Sequence, residues 1–143
     1  MRRVIMASML LGLLIAVVAV APAVAGTRTS VHMEVTTIFD PDPDEFWASG
    51  ITGCASGFVT DGPAILQFTP APGIFAGYKV FDCGGGTGFV VRLNARFGPD
   101  GAVGTWSVVD AWGAVDGMQG AGKLVGEPIA GGILDIYDGV VTR

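Results

Sequence analysis

The nine residues Phe89-Val-Val-Arg-Leu-Asn-Ala-Arg-Phe97 leave the chain little choice of conformation. Phe89, Val91, Leu93, Ala95 and Phe97 fall on one side of an extended backbone, and Arg92, Asn94 and Arg96 on the other. That period of two belongs to a half-buried antiparallel strand. Weaker runs of the same kind cover residues 30–39, 55–60, 64–69, 74–82, 103–109, 120–125 and 133–141. Turn residues separate them: Asp61-Gly62-Pro63, the Pro70–Gly73 segment, Gly84-Gly85-Gly86, Gly98-Pro99-Asp100-Gly101 and Gly131-Gly132. About eight short strands cut by glycine, proline and aspartate predict an all-β fold, barrel or sandwich. Glycine selects between the two. Gly77, Gly104 and Gly139 sit inside strand segments, where glycine weakens a strand unless a bend or close approach needs it. Small antiparallel barrels with coiled strands have many such places. The barrel is therefore expected, with a sandwich as second choice.

The first 25 residues stand apart from this pattern. Arg2 and Arg3 precede an apolar run, and Pro22 then leads into Ala23-Val24-Ala25, a small-x-small cleavage site. This is the plan of a secretory signal peptide over residues 1–25. An uncleaved membrane anchor is the rival reading, since the apolar run is nearly long enough to span a bilayer. Cleavage leaves residues 26–143 as one domain, large enough for a single core, and places it outside the cell. Loss of the two arginines takes the formal charge from −5 to −7. An acidic domain without a Lys/Arg cluster is a poor partner for nucleic acid or an anionic membrane. Export also bears on Cys54 and Cys83, the chain's two cysteines. In an oxidising compartment such a pair reads as a disulfide, and closing its loop stabilises the fold by about 3–4 kcal/mol. No C-x-x-C exists and His32 is the sole histidine, so zinc and dithiol redox chemistry lack partners.

The segment Gly104-Thr-Trp-Ser-Val-Val-Asp-Ala-Trp-Gly-Ala-Val-Asp-Gly-Met-Gln-Gly-Ala-Gly122 is the richest in apparent motifs. A phosphate loop must open a helix, yet Lys123-Leu-Val-Gly126 and Pro128 follow. Gly84–Gly88 instead feeds the strand at Phe89, and no G-x-S-x-G elbow is present. What remains is a glycine corner between strands. Its Gly117-Met118-Gln119-Gly120 turn resembles the corner of small secreted barrels of the allene oxide cyclase-like and dirigent-like group. The segments around Cys54 and Cys83 resemble exported bacterial members. The chain departs from that pattern at Ala111-Trp112-Gly113 and at Val115. The resemblance implies a barrel, and as an alternative function a cyclase- or dirigent-like enzyme confining a reactive apolar substrate. It assigns no catalytic residue here.

The residues themselves supply no complete catalytic set. His32 and Glu34 alternate with Val31, Met33 and Val35, which places them on the wet face of their strand. Asp138 shares a face with Leu134, Ile136 and Val140 and is expected to point inward, where burial raises a carboxylate pKa. The acidic run Asp40-Pro41-Asp42-Pro43-Asp44-Glu45 lacks the glycine and the terminal glutamate of a calcium loop and reads as a solvated connection. No metal or cofactor is implied. Trp47, Trp106, Trp112, Phe46, Phe58, Phe75, Phe81, Phe89 and Tyr78 are enough aromatic surface to fill a barrel. Of these Tyr78, Phe89, Trp106 and Trp112, together with Asp138, are the candidate ligand-binding residues. The reading is a secreted, non-catalytic barrel binding a small apolar ligand or another protein's surface. A pocket of at least ~300 Å³ separates the ligand from the surface.

Overall fold

Tight turns decide the topology before the strands do. Gly84, Gly85 and Gly86 all take positive φ, a backbone that a β-carbon disfavours, and the chain reverses there between two long strands. The computed structural model describes residues 26–38, 43–68 and 72–143, so the expected leader lies outside the described residues. The strands are β1 (Arg28–Ile38), β2 (Asp44–Ser49), β3 (Ser56–Gln67), β4 (Gly73–Gly84), β5 (Thr87–Gly98), β6 (Gly101–Trp112), β7 (Gln119–Ile129) and β8 (Gly132–Thr142). Each pairs antiparallel with the next. β8 then returns to β1 in continuous register, from Arg28↔Thr142 to Ile38↔Gly132. The sheet is a closed eight-stranded barrel, not a sandwich. Among the described residues no helix is long and apolar enough to cross a membrane.

Two strands differ from the sequence reading. The break expected at Asp61-Gly62-Pro63 is a register shift inside a continuous β3, because an extra residue or two in one strand is absorbed as a bulge without ending the ladder. The acidic run is not all connection either. Asp44 and Glu45 open β2, where Thr36 faces Glu45 and Asp44 faces Val59. β2 is half the length of its neighbours, too short for its alternation to stand out. Residues 40–42 of that run lie outside the described residues.

Inward side chains fill the middle of the barrel with aromatic rings. Phe81 stacks on Phe89 with centroids 4.7 Å apart. Phe46 meets both edge-on, and Tyr137 meets Phe81 edge-on at 5.8 Å. Such stacked and edge-to-face pairs are the arrangements that ring quadrupoles favour. Trp106 completes the cluster beside Tyr137. Gly139 makes room for it, since a β-carbon there would stand 2.7 Å from the indole Cζ2. At one end Ile51, Val115 and Met118 cover this core, next to the disulfide between Cys54 and Cys83. The other end, reached by Thr37, Asp44, Asp61, Lys79 and Asp135, is built differently.

Candidate functional site

Alternation puts a lysine on the inner face of β4. Lys79 lies between Gly77 and Phe81, which face inward, and is itself only 6% exposed. Lysine is almost never buried without a partner, and here the neighbouring strands supply carboxylates. Asp61 is its cross-strand mate on β3, with Oδ1 2.9 Å from the ammonium. Asp44 of β2 lies 3.7 Å away and also accepts a 2.9 Å hydrogen bond from the Thr37 hydroxyl. A third acid, Asp135 of β8, completes the group. Burial pushes its pKa above the usual carboxylate value, the Lys79 charge pulls it back in part, and Asp44 and Asp61 push it up again. Among the described residues no hydrogen-bond donor holds Asp135. Below them sits Tyr137, fully buried, its hydroxyl without a partner among the described residues. Burial holds the phenol pKa well above its ordinary range, with the charges of Asp135, Asp61 and Asp44 acting in the same direction.

The same end of the barrel carries an apolar rim. Leu66 faces Phe75 across the β3–β4 pair, and Phe68 meets Phe97 edge-on at 5.7 Å. Beside Phe97, a depression of about 510 Å³ opens along the β5–β6 turn and β7. Ala102 and Gly126 lie on its barrel side. Gly126 lets Asp135 pack closely on β7, since Asp135 Oδ1 lies 2.7 Å from where a side chain at Gly126 would begin. The chemistry of this end is mixed: one ammonium, three carboxylates and a phenol beneath an aromatic rim. Among the described residues no three His, Cys, Asp or Glu side chains are placed to hold a metal ion.

The comparisons with known proteins come back empty. No family model matches the chain, and neither a curated protein nor a solved structure matches it significantly.

The sequence-based candidates are scattered by the fold. Phe89 and Trp106 belong to the solid mid-barrel core, where rings and not a cavity occupy the space. Tyr78 points outward and is partly exposed. Trp112 faces away from the core at the end of β6, opposite Gly88. Asp138 also turns outward, with its side chain 66% exposed; the inward acid is Asp135. The reason lies in β8, which is apolar on both faces. Leu134, Ile136 and Val140 are half-buried outside the barrel while Tyr137 and Val141 are buried inside, so alternation alone does not tell which set faces the core. Lys79 carries a usable sequence signal, a cation in register with Phe75, Gly77 and Phe81.

On the outer face Asp138 has another role. His32 Nδ1 lies 2.7 Å from Asp138 Oδ1 across the β1–β8 seam, and Nε2 lies 3.2 Å from Glu34 Oε1. The hydrogen bond to Asp138 is the main cause that raises the imidazole pKa above 6.5, with Glu34 adding to it. We expect an NMR titration to give His32 a pKa above that value. The stability it contributes is then fully present below pH 6.5 and fades as pH rises through the folded-state pKa. A folded-state pKa at or below 6.5 would contradict the seam contacts.

Proposed function

We propose that this chain is an exported binding barrel that takes a small molecule at the Lys79 end and not in the middle of the barrel. One observation carries the reading: a buried lysine set among three carboxylates, at the same barrel end as a depression large enough for a small ligand. Well-packed apolar side chains close a barrel end at least as stably as a buried ion pair does. Clustered charges with shifted pKa values mark functional sites more often than other places. The aromatic mid-barrel argues against a ligand there, since its rings leave no room. Export through residues 1–25 and the disulfide are compatible with an extracellular ligand.

Fragment screening by NMR on the exported protein tests this reading. Binding fragments are expected to shift the amide signals of Lys79, Phe97, Gly126 and Asp135, and Val125→Trp, at an exposed residue lining the depression, is expected to remove those shifts. Shifts confined to the outer face of β1–β3, around Trp47 and Phe58, would overturn the site in favour of a surface interaction. A second reading, conversion of a reactive apolar substrate by a cyclase- or dirigent-like enzyme, is supported by Asp135. An inward acid with a raised pKa beside a tyrosine has the makings of a general acid or base. In that case Asp135→Asn abolishes turnover while ligand shifts persist.

A further inference from the structure

The barrel is closed, but one of its seams is paired over only half of β6. That strand runs to Trp112, yet its ladder with β7 joins residues 102–107 to 121–126 and goes no further. Of the residues that follow, Val108, Asp110, Ala111 and Trp112 pair with β5 and none pairs with β7. Gln119 and Gly120, which open β7, pair with β8. Two local causes split the seam. A register shift leaves Val109 without a mate on β5, and such a bulge bends its strand and sharpens its twist. Beyond Trp112 the chain is then tied toward β5 and not β7, because the Ala114 N–H donates to Thr87 Oγ1 at 3.0 Å. A depression of about 550 Å³ occupies the split, with residues 108–111 on one wall and 116–120 on the other. It lies at the disulfide end, across the barrel from Lys79.

An unpaired strand edge presents main-chain donors and acceptors that another extended chain satisfies. The state of this edge agrees. The Ala111 N–H is held at 2.9 Å by the side chain of its own neighbour, Asp110, and not by a strand. Val109 keeps 49% of its surface exposed. Val108 and Ala111 lean against the core. A strand laid in the split therefore turns small apolar side chains inward, over Val108, Ala111 and Met118, and its alternate side chains outward. Asp110 and Asp116 are exposed there, and among the described residues neither forms an ion pair.

We propose that the β6–β7 split is a strand-addition site for an extended peptide in which small apolar residues alternate with lysine or arginine. Main-chain hydrogen bonds to the β6 edge hold such a peptide, and the two carboxylates select its charge. A second copy of this chain is the poorer occupant. Pairing edge to edge sets Asp110 and Asp116 against their own counterparts, and like charges across a strand pair are destabilising.

NMR titration and calorimetry with short peptides test this on the exported protein. The probe is the acetylated and amidated hexapeptide Val-Lys-Val-Lys-Val-Lys, with Val-Glu-Val-Glu-Val-Glu as its charge control. The lysine peptide is expected to shift the amides of residues 108–111 and 118–120, Ala111 most of all. It is expected to bind about tenfold more tightly than the glutamate peptide. Asp110→Lys/Asp116→Lys, at two exposed positions, is expected to reverse that order. N-methylation reads the pairing itself, because an extended chain turns alternate N–H groups to opposite sides. Methylating either the three valines or the three lysines is expected to weaken binding about tenfold, while the other isomer stays within about threefold. Equal loss from both isomers, or from neither, overturns strand addition, as do shifts confined to other amides. Equal affinity for the lysine and glutamate peptides overturns the basic partner. Shifts of the same amides with protein concentration alone make a second copy the occupant and overturn the peptide.

Discussion

Phe81→Ala is expected to cost about 3–5 kcal/mol of folding stability, the range for removing a buried phenylalanine ring from a core that cannot close over the gap. Phe81 has no exposed surface. Its ring stacks on Phe89 and takes the edges of Phe46 and Tyr137, so truncation leaves three aromatic neighbours facing a void. The wall around them is hydrogen-bonded all the way round the barrel, and strands held on both sides do not move inward to fill it. Urea unfolding should show a lower midpoint with an unchanged slope. Phe58→Ala is the control. Phe58 lies on the same sheet but faces outward at 53% exposed, and its loss should stay below about 1 kcal/mol. Equal effects at the two positions would mean that the aromatic cluster is not what organises the barrel.

That cluster explains which parts of the fold can be read from sequence. The strand at 89–97 declares itself because its inner residues are all apolar and three of its four outer ones are charged or amide. The turns at 84–86, 98–101 and 131–132 declare themselves because glycine and proline do work there that other residues do poorly. β2 is hidden because six residues hold only three inward positions, and one of these is Asp44. The bulge in β3 is hidden for the opposite reason. Asp61-Gly62-Pro63 has the composition of a turn, and only pairing with β4 keeps the chain extended through it. Pairing partners are distant in sequence, so local composition cannot report them.

The Lys79 end was harder to read than the fold, and for related reasons. A candidate list drawn from large aromatics finds the residues that fill a barrel, and Phe89 and Trp106 do that. The residues that make the Lys79 end chemically distinct are small in number and come from β1, β2, β3, β4 and β8. Their meaning depends on a closed sheet that brings β8 beside β1. Asp135 and Asp138 illustrate the limit. They differ by three positions and so face opposite sides of β8, and both sides of that strand are apolar enough to pass for the core. Lys79 was the available clue, because a charge in register with Phe75 and Phe81 conflicts with the local pattern. Such conflicts between local pattern and global fold are where functional sites are expected.

The Cys54→Ala/Cys83→Ala double variant is expected to be less stable by about 3–4 kcal/mol, the chain-entropy value for a loop of this length. The two cysteines are 29 residues apart, and the loop they close contains β3 and most of β4. Cys54 precedes β3 in a short connection whose backbone is held by Cys54 N–H to Ile51 C=O. Cys83 lies near the end of β4, next to the glycine turn. The bond therefore ties the start of one strand to the end of its partner, at the barrel end where Val115 and Met118 cover the core. Without it the unfolded chain regains the freedom that the loop had removed, while the folded barrel keeps its pairing. For a domain of this size the melting temperature should fall by roughly 10–20 °C. Alanine is the right replacement because Cys54 is buried, and a serine hydroxyl there would add a separate cost. The single variant Cys83→Ala should lose nearly as much as the double, since either change opens the loop. A double variant that melts within about 3 °C of the parent would show that the unfolded barrel is already compact around this loop, and the entropic account would fail.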